Sequence, residues 1–145
     1  MSRTSKEKLK RYSTCIRQWT RSNASFELLD KYVSSASDWG AGGCAPLAMA
    51  LHRLMPGSAL WAVVSKYRPE RPEHVVVKWQ GLFWDHRGGR QKRSVQRYWD
   101  SEALWSPGQA QIVPLTQTHL DVVEEWDTCP IGLIDEIVSA LASCA

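Results

Sequence analysis

The chain has 145 residues, 43% apolar and 23% charged, with a net charge of +3. These are the values of one ordinary globular domain, large enough for a real hydrophobic core. No apolar run approaches the roughly 20 residues that span a bilayer, and the basic, polar start has no apolar stretch of the signal-peptide kind. A cytoplasmic protein without a membrane partner is therefore expected; carriage on a virion would be compatible with the same features.

In chain order, residues 5–21 place Leu9, Tyr12, Ile16 and Trp19 at helical spacing. Asn23 can cap a second helix whose inward groups are Phe26, Leu29, Tyr32 and Val33. Ser34 to Gly43 reads as a loop of small residues around Trp39, and a third helix follows from Cys44 to Met55. Pro46 falls in its first turn, where a missing N–H costs nothing. Leu47, Leu51 and Leu54 form its stripe, and Pro56-Gly57 stops it.

The period then changes. Ala59–Lys66 reads as a strand, Tyr67–Glu73 as a proline-rich charged loop, and His74–Trp79 as a second strand. Gln80-Gly81 is a tight turn into a third strand, Leu82–His86, which Gly88-Gly89 ends. Residues 94–105 look helical, with Val95, Trp99 and Leu104 inward. Ile112–Leu115 reads as an edge strand because it carries Pro114. Helices over 117–126 and 130–142 close the chain. The predicted fold is α+β: a helical N-terminal part, with a cysteine at a helix N-terminus packed against a small antiparallel sheet. The predicted organisation is one domain over 1–145. It divides into a helical segment over 1–36, a catalytic core over 38–115, and C-terminal helices over 116–145.

Four cysteines, at 15, 44, 129 and 144, show no CxxC spacing. That argues against a structural zinc site, and no metal or cofactor is expected. Without an export signal a disulfide framework is not expected either, so Cys15, Cys129 and Cys144 read as small buried or incidental thiols. Cys44 differs. The run Trp39-Gly40-Ala41-Gly42-Gly43-Cys44 delivers it to a helix start, where unpaired N–H groups favour the thiolate.

His74 and Asp85 follow in order. If Gln80-Gly81 is a two-residue turn, Val76 faces Asp85 across the hairpin. His74, Val76, Lys78, Phe83 and Asp85 then share one face. Asp85 becomes a diagonal neighbour of His74, able to accept its Nδ1–H, while His86 falls on the opposite face. This gives Cys44 as nucleophile, His74 as general base, and Asp85 as the group orienting the imidazole. An oxyanion hole would use the Cys44 N–H and one more donor from the loop, with Trp39, Gly42 and Gly43 as candidates. His52 reads as surface, and His119, beside Asp121, is a weaker base candidate.

Two basic clusters, Arg3/Lys6/Lys8/Lys10/Arg11 and Arg87/Arg90/Lys92/Arg93, read as solvated faces, so a nucleic-acid partner is not expected. Eight tryptophans exceed what a core needs, and some are expected to line a groove.

Gly-Gly-Cys-x-x-Leu-Ala-x-Ala-Leu at 42–51, His-Val-Val-Val at 74–77 and Phe-Trp-Asp-x-x-Gly at 83–88 resemble the compact papain-like cysteine hydrolases. The order and short separations are closer to the NlpC-type and transglutaminase-like branches, and the resemblance covers residues 38–90. It implies a cysteine on a helix N-terminus facing a histidine and a polar residue on an antiparallel sheet, the roles of Cys44, His74 and Asp85. Small stand-alone proteins of this kind occur in phages and bacterial mobile elements, which implies such an origin here. Two positions depart from the pattern. Asp38 stands where papain-like proteases often place an oxyanion-hole glutamine, and Gly43 stands where NlpC-type enzymes commonly carry aspartate.

The expected function is hydrolysis of an amide or isopeptide bond, in a peptide, protein or peptidoglycan peptide, through a thioacyl-enzyme. The alternative is a non-catalytic protein of the same fold that binds a partner through a tryptophan-rich surface.

Overall fold

A computed structural model describes residues 3–144; residues 1, 2 and 145, the outermost positions of the expected N- and C-terminal segments, lie outside it. Among the described residues there are six α-helices, a final 3-10 turn and one antiparallel five-stranded sheet, so the protein is α+β. The helices are α1 (Arg3–Thr20), α2 (Asn23–Tyr32), α3 (Cys44–Leu54), α4 (Lys92–Glu102), α5 (Gln117–Trp126) and α6 (Ile131–Leu141). The strands are β1 (Ala59–Ser65), β2 (Arg68–Trp79), β3 (Leu82–Asp85), β4 (Gly88–Arg90) and β5 (Ala110–Pro114), in the spatial order β4-β3-β2-β1-β5. No described helix is long and apolar enough to cross a membrane.

Two cores lie on the two faces of the sheet. Val75, Val77 and Trp84 pack with Tyr12 and Ile16 of α1, Leu29 of α2, Leu47 and Leu51 of α3, and Leu133, Ile137 and Leu141 of α6. Val63, Val76, Phe83 and Ile112 face the other way, onto Val95 and Trp99 of α4. The valine run 75–77 therefore belongs to a strand covered on both sides, which is why it does not alternate with polar residues. Asp100 pins the far end of the second layer: its carboxylate accepts from Gly108 N–H (2.8 Å) and Ala110 N–H (2.6 Å), fixing the start of β5.

The Gln80-Gly81 turn forms as expected. Both residues have positive φ (54° and 75°), the type I′ geometry that matches strand twist. The register is the expected one: Trp79 opposite Leu82, Lys78 opposite Phe83, Val77 opposite Trp84. Strand β5 is an edge strand that ends on Pro114.

Four local expectations need correction. Residues 68–73 are strand, not loop. β3 pairs only with Val77–Trp79, so the 68–73 part of β2 has one free side, and such an edge tolerates the prolines at 69 and 72. Gly88-Gly89 does not end the sheet but opens β4, because His86-Arg87 makes a second tight turn with Asp85 opposite Gly88. The cap of α2 is Ser22, whose hydroxyl accepts from Ser25 N–H at 3.2 Å; Asn23 is already helical. Leu104 is not inward: it lies beyond α4, has φ of 57° and is exposed.

The cysteine expectation is also overturned. Cys15 of α1 and Cys144 of the final 3-10 turn (Ala142–Cys144) form a disulfide, with Cα atoms 5.7 Å apart. The two are 129 positions apart, so no local spacing could announce the pair; it exists because the turn after α6 ends against α1. Cys44 and Cys129 remain free. Thiol counting on the denatured, unreduced chain should find two free cysteines, and four after reduction; four before reduction would contradict the pairing.

Candidate active site

Three elements converge on Cys44. It is the first residue of α3, and Gly43, the cap, offers no side chain to the helix-start N–H groups. These groups therefore stay unpaired beside the sulfur, at the positive end of the helix dipole. The segment before it is folded by Asp38, whose Oδ1 accepts from both Gly40 and Ala41 N–H at 2.7 Å. Gly43 N–H donates to Asp38 O at 3.0 Å. Gly42 has φ of +100°, and a Cβ there would sit 2.8 Å from Ala36, so only glycine fits that corner.

His74 lies in β2 beside a bulge. Val63 of β1 pairs with His74 but Val64 pairs with Pro72, leaving Glu73 as the extra residue. A bulge bends its strand and re-aims the neighbouring side chain. Here His74 is fully buried, with the Trp99 ring of α4 tilted over it at 4.4 Å between centroids. Asp85, at the end of β3, accepts from His74 Nε2 at 2.9 Å and from Arg87 N–H at 2.8 Å.

The expected neighbours are thus brought together, with one atom exchanged. Asp85 takes Nε2 of His74 rather than Nδ1, because it approaches the ring from the far side. That leaves Nδ1, buried and without an aligned hydrogen bond, as the nitrogen available to Cys44. The thiol couples to this ring through charge and a loose side-chain contact, and it also receives the Val75 N–H.

The electrostatics agree. Burial pushes the Cys44 thiol up, but the facing His74 and the Val75 N–H outweigh it, so its pKa falls below the ordinary value. Burial pushes His74 down, yet Cys44 and Asp85 together hold it up at about 9. Asp85 is pushed up by burial and pulled lower overall by the His74 bond, with help from His86. Each of the two groups thus favours the charged form of the other.

The oxyanion candidates fare unequally. The Trp39 indole N–H is spent on Ser25 Oγ at 3.1 Å inside the core, and Trp39 is 1% exposed, so it is a strut of the loop and offers no free donor. The Gly43 N–H is likewise spent on Asp38 O. The Cys44 N–H and the loop at Gly42 remain. Asp38, with Oδ1 occupied by two backbone donors, acts as a staple for the loop.

His86 is not on the opposite face. β3 stops at Asp85, so strand alternation no longer governs the next residue. His86 sits in the β3–β4 turn, where Thr20 Oγ1 donates to its carbonyl at 3.0 Å. Its Nδ1 lies 3.9 Å from Asp85 Oδ1 and its ring 6.1 Å from that of His74. A Cβ on Gly40 would come within 2.9 Å of the His86 ring, so that glycine permits the loop to close on the turn. His74, Asp85 and His86 are also the described group whose ligand atoms, all within 4.8 Å of one another, could hold a metal ion. A metal there would have to break the His74–Asp85 bond.

His52 is exposed, as expected, and its Nδ1 lies 2.8 Å from Ser58 Oγ. His119 is structural: it completes the capping box of α5 with Thr116, and its Nε2 donates to Pro69 O at 2.6 Å. Trp99 and His86 are the site residues that sequence reasoning missed. The only signal was Gly88-Gly89, read as a strand end when it marked a turn.

Asp85→Asn should bring the titration of His74, followed by NMR, down from about 9 by a unit or more. His86→Ala should move it less. Equal effects would mean that the His74–Asp85 bond does not set the charge of the pair. No protein-family model matches the chain, and the comparisons with curated proteins and with solved structures found no match.

Proposed function

We propose that the protein is a thiol-dependent hydrolase that cleaves an amide or isopeptide bond, with Cys44, His74 and Asp85 as its catalytic groups. The observation that carries the reading is a fully buried histidine, His74, bonded through Nε2 to Asp85 while coupled electrostatically to a helix-start thiol. A structural histidine needs no thiol partner, and a core cysteine needs no charged one.

In the first half of the reaction the Cys44 sulfur attacks the carbonyl carbon, and the carbonyl electron pair moves onto oxygen, which the Cys44 N–H stabilises. The C–N bond then breaks as His74 passes its proton to the leaving nitrogen. In the second half water attacks the thioester and gives a proton to His74, and the C–S bond breaks to restore the thiolate. Asp85 keeps the ring oriented and stabilises its charged form throughout. The packing of α3 against β2 supports reading the core as papain-like, and peptides, proteins and peptidoglycan peptides are the substrate classes to test.

The alternative, a non-catalytic binder with a tryptophan-rich face, has less support. The exposed large apolar side chains are Phe26, Tyr67, Leu104 and Ile131, with no tryptophan among them.

Cys44→Ala should abolish turnover on a panel of peptides and peptidoglycan fragments while leaving the circular dichroism spectrum unchanged; full activity in that variant would overturn the assignment. The pH profile should be a bell. Activity rises as Cys44 ionises, below the ordinary thiol range, and falls as His74 loses its proton near pH 9. The stability contributed by His74 follows the same sign. It is complete below the unfolded value of about 6.5 and disappears as pH rises through about 9.

A further inference from the structure

Four arginines, Arg87, Arg90, Arg93 and Arg97, line one cavity of about 410 Å3 together with Ser94 and Tyr98. Arg87 comes from the β3–β4 turn and Arg90 from the end of β4, while Arg93 and Arg97 are four apart on α4 and so share a helix face. The ion pairs among the described residues fall elsewhere, so none of the four is matched by a carboxylate at contact distance. The acids nearest in effect are Glu102, which acts on Arg87 and Tyr98, and Asp85, which is committed to His74.

The groups around the cavity are held in place. Arg90 donates to Ser94 Oγ through both Nε (3.0 Å) and Nη2 (2.7 Å), so the hydroxyl accepts twice and its own proton is free for another partner. The Arg87 guanidinium lies 3.4 Å from the centroid of the Tyr98 ring, which fixes its plane. The cavity also adjoins the start of α4, an 11-residue helix whose cap, Gln91, makes no side-chain bond to the first-turn N–H groups. Burial and the neighbouring Arg90 push the Arg87 pKa down, against the opposing pull of Asp85, Tyr98 and Glu102. Guanidinium forks, a hydroxyl and a helix N-terminus are all donors, and together they suit a compact oxyanion of more than one charge.

We propose that this cavity binds a phosphoryl group, either free as pyrophosphate or carried as a phosphate monoester on a peptide. Every lining residue comes from the single stretch 87–98, which makes a compact pocket for one or two phosphates rather than a track for a polynucleotide backbone. The site stands apart from the proposed hydrolysis, although Arg87 lies two residues beyond Asp85 and donates its N–H to that carboxylate.

Calorimetric titration of pyrophosphate, of a phosphoserine peptide and of its unphosphorylated counterpart into the full chain tests the assignment. Pyrophosphate or the phosphopeptide should bind with a Kd below about 1 mM, and the stronger of the two identifies the source. Arg93→Gln and Arg97→Gln, both at exposed helical positions that tolerate glutamine, should each weaken binding by about tenfold. Cys44→Ala should bind as the unaltered chain does, so failure of the hydrolase reading would leave this result untouched. No binding of either phosphorylated probe, equal binding of the unphosphorylated peptide, or affinity unchanged by both arginine variants would overturn the proposal. So would tighter binding of a short DNA duplex than of pyrophosphate with a log–log salt slope of about −3.6 or steeper, which would mark a polynucleotide surface.

Discussion

Water scarcely reaches the charges at the candidate site: His74 is 0% exposed, Cys44 5% and Asp85 6%. A buried ion is tolerated only when its neighbours replace the lost solvent. Here the replacement is mutual. Cys44 and Asp85 both favour a charged His74, His74 in turn favours their charged forms, and the backbone at Val75 and Arg87 favours the charged thiol and carboxylate. Each member is affordable only because the others are present, so the three behave as one unit in packing as well as in charge.

That unit depends on backbone features some distance away. The two-residue turn at Gln80-Gly81 sets which residues of β2 and β3 share a face; a shift of one position would turn Asp85 away from His74. The bulge at Glu73 then adjusts the aim of His74. On the helical side, Asp38 and the Trp39–Ser25 bond hold the loop that delivers Cys44, and Thr20 holds the turn carrying His86. The tryptophans are distributed accordingly: Trp39 braces the loop, Trp84 fills the core beneath the hairpin, and Trp99 covers the imidazole.

Much of this was legible because it follows from period and turn chemistry. The apolar stripe of α3, the turn signal at Gln80-Gly81 and the alternation along β2 and β3 are local, and they put His74 and Asp85 on one face of the hairpin. What escaped was non-local or sub-residue. Which nitrogen of His74 meets Asp85 depends on the direction of approach, not on spacing. His86 was misplaced because strand parity was carried one residue past the strand. Trp39 looked available as a donor because nothing in the sequence says that Ser25, fourteen positions earlier, receives its N–H. The Cys15–Cys144 bond joins α1 to the final 3-10 turn across a sequence separation of 129, which no local pattern announces.

That last bond changes what kind of object the chain is. With residues 15 and 144 joined, the stretch between them is a closed ring. Closing a ring of this size removes about 5 kcal/mol of chain entropy from the unfolded ensemble in the loop-closure account. It also alters the meaning of a backbone cut. A protease that nicks any loop within the ring leaves two chains still joined by the Cys15–Cys144 disulfide. A cut in the exposed segment around Leu104 would thus not release a fragment until the disulfide is reduced, and the proposed thiol site could outlast a break in its own chain.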